Sequence, residues 1–330
     1  MTSNTLMIIS ELQRRSKKGL DYAKQTMRQE SIRDQTIHDA LEHYLENWND
    51  YTHSGLFSLA CEAVGGNLDA AVPVQASLSM IAAAFDLHDD IIDKSSTKNG
   101  KTTVYGKFGA ETTLLLGNAF ILEGFALLGN AMLNLKTEKL GELFRIVKNS
   151  LFDIGNAHAL ELSLRGNAEV DADQYWNIIN DKAASIDADM RIGAIIGGGT
   201  EKEVQALARY GRIIGILTIL REEFIDIFEI DELTQRSNVK SLPIPILLAL
   251  NDPATKIQIN QLLSKNVLTS EDVDNLLDLL YSTKEITQTK IKMSSLLTEA
   301  IAIASQLQNQ KNIIITIQLN ELANSLLEDL

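Results

Sequence analysis

The chain has 330 residues, 45% hydrophobic and 22% charged, the balance of an ordinary globular protein. Its 44 acidic against 30 basic residues give a formal net charge of −14, which excludes a nucleic-acid partner, because such partners need a basic surface. One cysteine, Cys61, excludes an intramolecular disulfide and fits a reducing, cytoplasmic setting.

The opening stretch MTSNTLMIISELQRRSKKGL has too short an apolar run for a signal peptide, and its basic run at 14 to 18 reads as a solvated helix face. Next, QTIHDALEHYLENW spaces Ile37, Leu41, Tyr44 and Leu45 as one apolar stripe of an amphipathic helix. VPVQASLSMIAAAFDLHDDIID is apolar nearly all round until its last two turns, so a buried central helix ending at a polar cavity is expected. ETTLLLGNAFILEGFALLGNAML is similar, and its glycines Gly117, Gly124 and Gly129 would let a neighbouring helix pack close. SLFDIGNAHALELSL, ADQYWNIINDKAASIDADMRIGAII, EVQALARYGRIIGILTILREEFIDIFEI and NIIITIQLNELANSLLEDL also read as helices. GGGT at 197 to 200 and DELTQRSNVKSLPIP read as loops. Only four prolines occur, Pro73, Pro243, Pro245 and Pro253, which permits long helices before the late cluster. No strand series appears and no run suits a membrane span, so residues 1–330 read as one all-α domain.

Two carboxylate clusters carry the chemistry. Asp89 and Asp93 are four residues apart and share a helix face, flanked by Asp90, with Asp86 one turn earlier. Charges this close repel, and a divalent cation resolves the conflict; hard Mg²⁺ suits oxygen ligands, water and a phosphate group. Glu222, Glu223 and Asp226 repeat the spacing at the end of another apolar helix. Facing each other across a cavity, the two clusters would hold several Mg²⁺ ions and a diphosphate as leaving group. Either cluster alone reads more readily as a solvated helix face; the shared spacing and the apolar runs leading into both favour the metal reading. His158 has no Cys or His at zinc-ligand spacing, and GGGT lacks the lysine of a phosphate loop.

HDDIID with GKTTVYGKFG after it, LREEFIDIF with KSLPIPILLAL after it, LACEAVGG at 59 to 66 and NDKAAS at 180 to 185 together resemble the trans-isoprenyl diphosphate synthases, the polyprenyl synthetase family. The resemblance implies an all-α isoprenoid synthase fold around an apolar cavity, usually dimeric. It further implies Mg²⁺-assisted ionisation of an allylic prenyl diphosphate. Asp89, Asp90, Asp93, Glu222, Glu223 and Asp226 would be the metal and catalytic carboxylates. Lys98, Lys182 and Lys240 would bind the diphosphate, and Ala84, Phe85 and Phe120 would shape the cavity.

The departures bear on the second substrate. Chain-elongating members carry a Lys and an Arg ahead of LACE for isopentenyl diphosphate, where this chain has Asp50 and His53. Ala82 replaces an expected histidine, and Lys98 and Asn99 replace an arginine pair. No Lys or Arg occurs between Arg33 and Lys94, so realignment restores nothing. Losing one charge-assisted contact costs about 1.5–3 kcal/mol. These losses favour a class I terpene synthase, which needs no second diphosphate. The alternatives are a chain-elongating prenyltransferase using Lys98, Lys101 or Lys107 as replacement cations, and a non-catalytic subunit partnering a catalytic prenyl diphosphate synthase. The glycine-bearing helices and the resemblance imply a homodimer, the alternative being a heteromer with a catalytic prenyl diphosphate synthase.

Overall fold

The computed structural model describes residues 3–98, 100–134, 140–166, 172–238, 241–265, 267–307 and 313–327. The first half runs α1 (Ser3–Gln29), α2 (Gln35–Asn47), α3 (Thr52–Ala63), α4 (Leu68–Asp93), a hairpin of β1 (Thr97–Lys98) and β2 (Lys101–Thr102), then α5 (Val104–Asn134) and α6 (Leu140–Leu164). The second half runs α7 (Ala172–Lys182), α8 (Ala184–Ile196), α9 (Glu201–Phe228), α10 (Ile230–Asn238), α11 (Ile244–Ala249), α12 (Pro253–Leu263), α13 (Ser270–Ser282), α14 (Lys284–Gln306) and α15 (Ile313–Ser325).

The helix starts follow local chemistry. Asp34 caps α2 by accepting from the Ile37 N–H at 3.0 Å. Thr200 and Glu203 form a reciprocal capping box at the start of α9, so GGGT does end as the expected break. Pro73 sits inside α4, costing it one backbone hydrogen bond without breaking it. α4 stops where Lys94 turns left-handed at φ 56°, one residue past Asp93.

Several expectations need correction. The stretch expected as a loop after Ile230 winds into α10, and the segment after α4 forms a two-stranded antiparallel hairpin, Thr97 opposite Thr102. Within the basic run Arg15 is buried, donating to Glu62 at 2.7 Å, Glu11 at 2.6 Å and Gln318 at 2.8 Å; it staples α1 to α3 and α15 instead of facing water. α4 and residues 104–131 of α5 also reach the length and hydropathy of a membrane span, contrary to the sequence reading. In α4 the apolar window is 61% buried among other helices, whereas in α5 only 39% is, with Leu115 and Leu122 exposed; Leu133 farther along α5 is exposed as well.

The core forms two clusters. The larger joins Phe57 of α3, Met190 of α8 and Tyr210, Leu217 and Phe224 of α9. The smaller lies between α2, α4 and α5, where Tyr44, Trp48 and Phe120 pack with ring centres 5.3–5.7 Å apart. Gly117 and Gly124 bring α5 onto α4: a Cβ would lie 2.5 Å from His88 Nε2 at the first and 2.8 Å from Ile81 Cγ1 at the second. The Ser77 hydroxyl then reaches the Gly124 carbonyl at 2.8 Å. Gly129 has no such neighbour, so the close-packing expectation fails there.

Candidate active site

α4 and α9 both finish in carboxylates. Along α4, Asp86, Asp89 and Asp93 keep side-chain exposures of 44%, 39% and 42%, whereas Asp90 is only 5% exposed. Burial, reinforced by Asp86, lifts the Asp90 carboxyl to about 7. Burial and the Asp89 charge raise Asp93 as well.

Cations reach this row from three other elements. Lys98 on β1 pairs with Asp86. Arg165, just past α6, donates to Asp93 at 2.5 Å and to the Ile92 carbonyl at 3.2 Å. The His158 ring nitrogen of α6 lies 3.4 Å from Asp89. Lys182 closes α7 and pairs with Glu161 of α6 at 2.5 Å.

The α9 row differs. Glu222 is raised by burial and by its neighbours Asp226 and Glu223, with Lys98 opposing. Glu223 is buried and fully bonded, accepting from Arg236 at 3.0 and 3.1 Å and from the Ile244 N–H at 2.7 Å. Arg236 also pairs with Asp226 and donates to the Ser241 carbonyl at 2.8 Å.

Two lysines tie the rows together. The Lys98 charge acts on Asp86, Asp90 and Asp89 of α4 and on Glu222 of α9. That of Lys182 acts on Glu161, on Glu223 and on Asp89. For both, burial works against the ammonium and the surrounding carboxylates outweigh it, so each pKa is raised. Through these two lysines the charges at the ends of α4 and α9 are coupled to one another.

Within reach of the Asp86 charge, His53 donates to Asp189 of α8 at 2.5 Å. Burial disfavours the imidazolium, but Asp189 and Asp50 overcome it and lift His53 to about 9. Asp50 accepts from the Thr52 N–H at 2.9 Å. The positions expected to hold an anionic second substrate thus contain one cation among carboxylates.

Other expected residues fall differently. Lys240 lies outside the described residues. Ala84 and Phe120 are both fully buried in the smaller core cluster, Phe120 against the Tyr44 and Trp48 rings, so they are part of a packed core. Phe85 is half-buried, its ring 6.4 Å from that of His88. His158, Glu161, Arg165, Asp189 and Arg236 were not singled out as site residues from sequence. Their partners stand as far as 72 or 136 positions away, beyond any local pattern.

Among the described residues, no three His, Cys, Asp or Glu side chains converge to enclose an ion. The expected six-carboxylate metal shell is therefore not preformed. The donors still fit Mg²⁺, which takes one or two carboxylates and completes its shell with water and phosphate oxygens. Asp89, Asp93 and Glu222 offer such oxygens.

The sequence profile described as polyprenyl synthetase matches residues 6–280. The chain is 30% identical over 208 residues to the short chain isoprenyl diphosphate synthase of Methanothermobacter thermautotrophicus, covering 62% of this chain and 63% of that one. It is 24% identical over 181 residues to the geranylgeranyl diphosphate synthase of Sulfolobus acidocaldarius, covering 54% and 55%. The chain thus spans less than two thirds of the length of these curated relatives. Its fold is similar to the geranylgeranyl pyrophosphate synthetase of Pyrococcus horikoshii, with a TM-score of 0.84, 19% identity and 98% of each chain covered. It is also similar to the polyprenyl synthase of Caulobacter crescentus complexed with calcium and isoprenyl diphosphate, at TM-score 0.79, 20% identity and coverage of 99% and 98%. With a family profile spanning most of its length and an all-α fold shared with prenyl synthases, the chain belongs to the polyprenyl synthetase family.

Proposed function

We propose that this protein is a metal-dependent trans-prenyltransferase that ionises an allylic prenyl diphosphate and transfers the prenyl group to isopentenyl diphosphate. One observation carries the reading: the charges of two lysines, Lys98 and Lys182, each act on carboxylates of both rows, the arrangement that a diphosphate and its metal would need. Mg²⁺ bound there would act as a Lewis acid on the leaving diphosphate. Asp89, Asp93 and Glu222 would hold it. Lys98 and Lys182 would turn from Asp86 and Glu161 to the diphosphate oxygens, charge-assisted contacts that strengthen as negative charge collects on the leaving group.

The relatives' names support chain elongation over the terpene synthase reading that the sequence departures favoured. That second reading keeps one specific support, the Asp50, His53 and Asp189 group where a basic pair was expected. The non-catalytic subunit comes third, because the α4 row keeps Asp90 buried beside like charges, a cost that a non-catalytic chain has no reason to bear.

The exposed row Leu115, Leu122 and Leu133 of α5, with Phe152 and Leu160 of α6, supports a homodimer in which a second copy covers this face. The same face could serve a heteromer. Cys61 is buried with its thiol pushed up to about 12, which fits residence in the cytoplasm.

Purified protein with Mg²⁺ and geranyl, farnesyl or geranylgeranyl diphosphate, each with and without isopentenyl diphosphate, tests the ranking. Longer diphosphates formed only with the second substrate are expected. Hydrocarbon or alcohol formed without it would move the terpene synthase to first place, and inactivity rescued by a partner chain would favour the subunit.

A further inference from the structure

The hairpin after α4 is a weak element by its own chemistry. It has two residue pairs, Thr97 opposite Thr102 and Lys98 opposite Lys101, and both strands are exposed. A two-stranded ribbon this short is marginal alone, and like charges placed directly opposite each other destabilise it further. Its base is closed locally: the Thr103 N–H donates to the Ser96 carbonyl at 3.0 Å, and the Thr103 hydroxyl to the Ser95 carbonyl at 2.6 Å. Two side chains from other helices then reach its strands. Asp86 of α4 pairs with the Lys98 ammonium, and His43 of α2 donates from Nε2 to the Thr102 carbonyl at 2.9 Å. The His43 ring is itself set edge-on against Phe108 of α5, with ring centres 5.8 Å apart at 65°.

We propose that His43 is a positioning residue that holds the hairpin, and with it Lys98, in place while a diphosphate binds. The inference rests on the reading above, in which Lys98 leaves Asp86 for the diphosphate, and goes beyond it. The two tethers differ in what they grip. Asp86 holds the hairpin through the lysine ammonium, so that hold is given up when the ammonium turns to another anion. His43 holds a main-chain carbonyl, a contact that does not depend on where the Lys98 side chain points. Thr102 is paired with Thr97, the residue next to Lys98 in the same strand, so the tether bears on the backbone that carries the lysine. A carbonyl can only accept, so Nε2 carries the proton in this contact. Without it, ordering the exposed ribbon and its flexible lysine stem would add to the cost of binding.

Calorimetry of the full chain with Mg²⁺ and inorganic pyrophosphate tests this in a double-mutant cycle with Lys98→Met. His43→Phe keeps a ring against Phe108 and removes the donor. It is expected to weaken pyrophosphate binding about fivefold, against about tenfold for Lys98→Met. In the Lys98→Met background His43→Phe is expected to change binding by less than about twofold, because no lysine is left to position. His43→Gln keeps an amide donor and is expected to bind within about twofold of wild type. His43→Leu serves the same comparison should the phenylalanine variant not fold. Wild-type affinity in His43→Phe, or full additivity with Lys98→Met, would overturn the role of His43 while leaving Lys98 in the diphosphate site. No weakening by Lys98→Met would overturn the reading of Lys98, and this inference with it.

Discussion

The ends of α4 and α9 carry nearly the same string of acids, yet the fold treats them differently. At the end of α4, Asp86, Asp89 and Asp93 are partly exposed, and their cations, Lys98 and Arg165, come from the hairpin and the end of α6. At the end of α9, Glu223 is buried under Arg236 and the Ile244 N–H, and Asp226 shares the same arginine. One row keeps its charge partly exposed; the other uses Glu223 and Asp226 to hold the polypeptide together. Spacing along a helix sets which side chains share a face, but neighbours set whether that face remains available to a ligand.

The largest contrast should come from Asp89→Asn. Removing one first-row oxygen is expected to lower prenyl transfer roughly 10³-fold, ~4 kcal/mol of barrier, with helical circular dichroism unchanged. A steady-state assay checks it, and full activity would remove Asp89 from the site. Glu223→Gln should act on stability: breaking a buried pair is expected to cost about 3 kcal/mol in urea unfolding. A stable variant with impaired metal binding would reverse the assignments of the two rows.

Smaller effects sharpen the same picture at its edges. His53 is raised from its ordinary 6.5 to about 9, so the folded state binds its proton more tightly than the unfolded chain. Its contribution is complete below about pH 6.5 and is lost as pH rises through about 9, on the order of 1–3 kcal/mol. Unfolding series at pH 6 and pH 9.5 measure it, and Asp189→Asn should flatten the difference. Smallest in stability is Lys98→Met, because its pair with Asp86 is half exposed: under about 1 kcal/mol in melting experiments. That variant should nonetheless weaken pyrophosphate binding about tenfold in calorimetry, since one charge-assisted contact is lost.

The long helices and the α4 row were legible in the sequence because both rest on periodicity, which is local. α10 was not: the polar composition of DELTQRSN resembles a loop, and only the Arg236 contacts back to α9 reveal why it winds. Arg15 was misread for a related reason, since the four basic positions around Ser16 look alike until α3 and α15 close over one of them. Ala84 and Phe120 were expected to shape the cavity, but both are buried in the α2, α4 and α5 core, and the Tyr44 and Trp48 rings that pack on Phe120 come from more than seventy positions earlier in the chain. Asp189 carried no signal of its own; its role depends on His53, which the sequence analysis had noted only for what it replaced.

Gly117 has a wider effect than its size suggests. At that rung α5 presents only hydrogen to His88, the residue just before Asp89, so the interhelical separation there is fixed by a missing methyl group. A side chain at 117 would press on the His88 ring, and either that ring or α5 would have to give way one residue from Asp89. A position that never meets a substrate thus bears on the end of the acidic row.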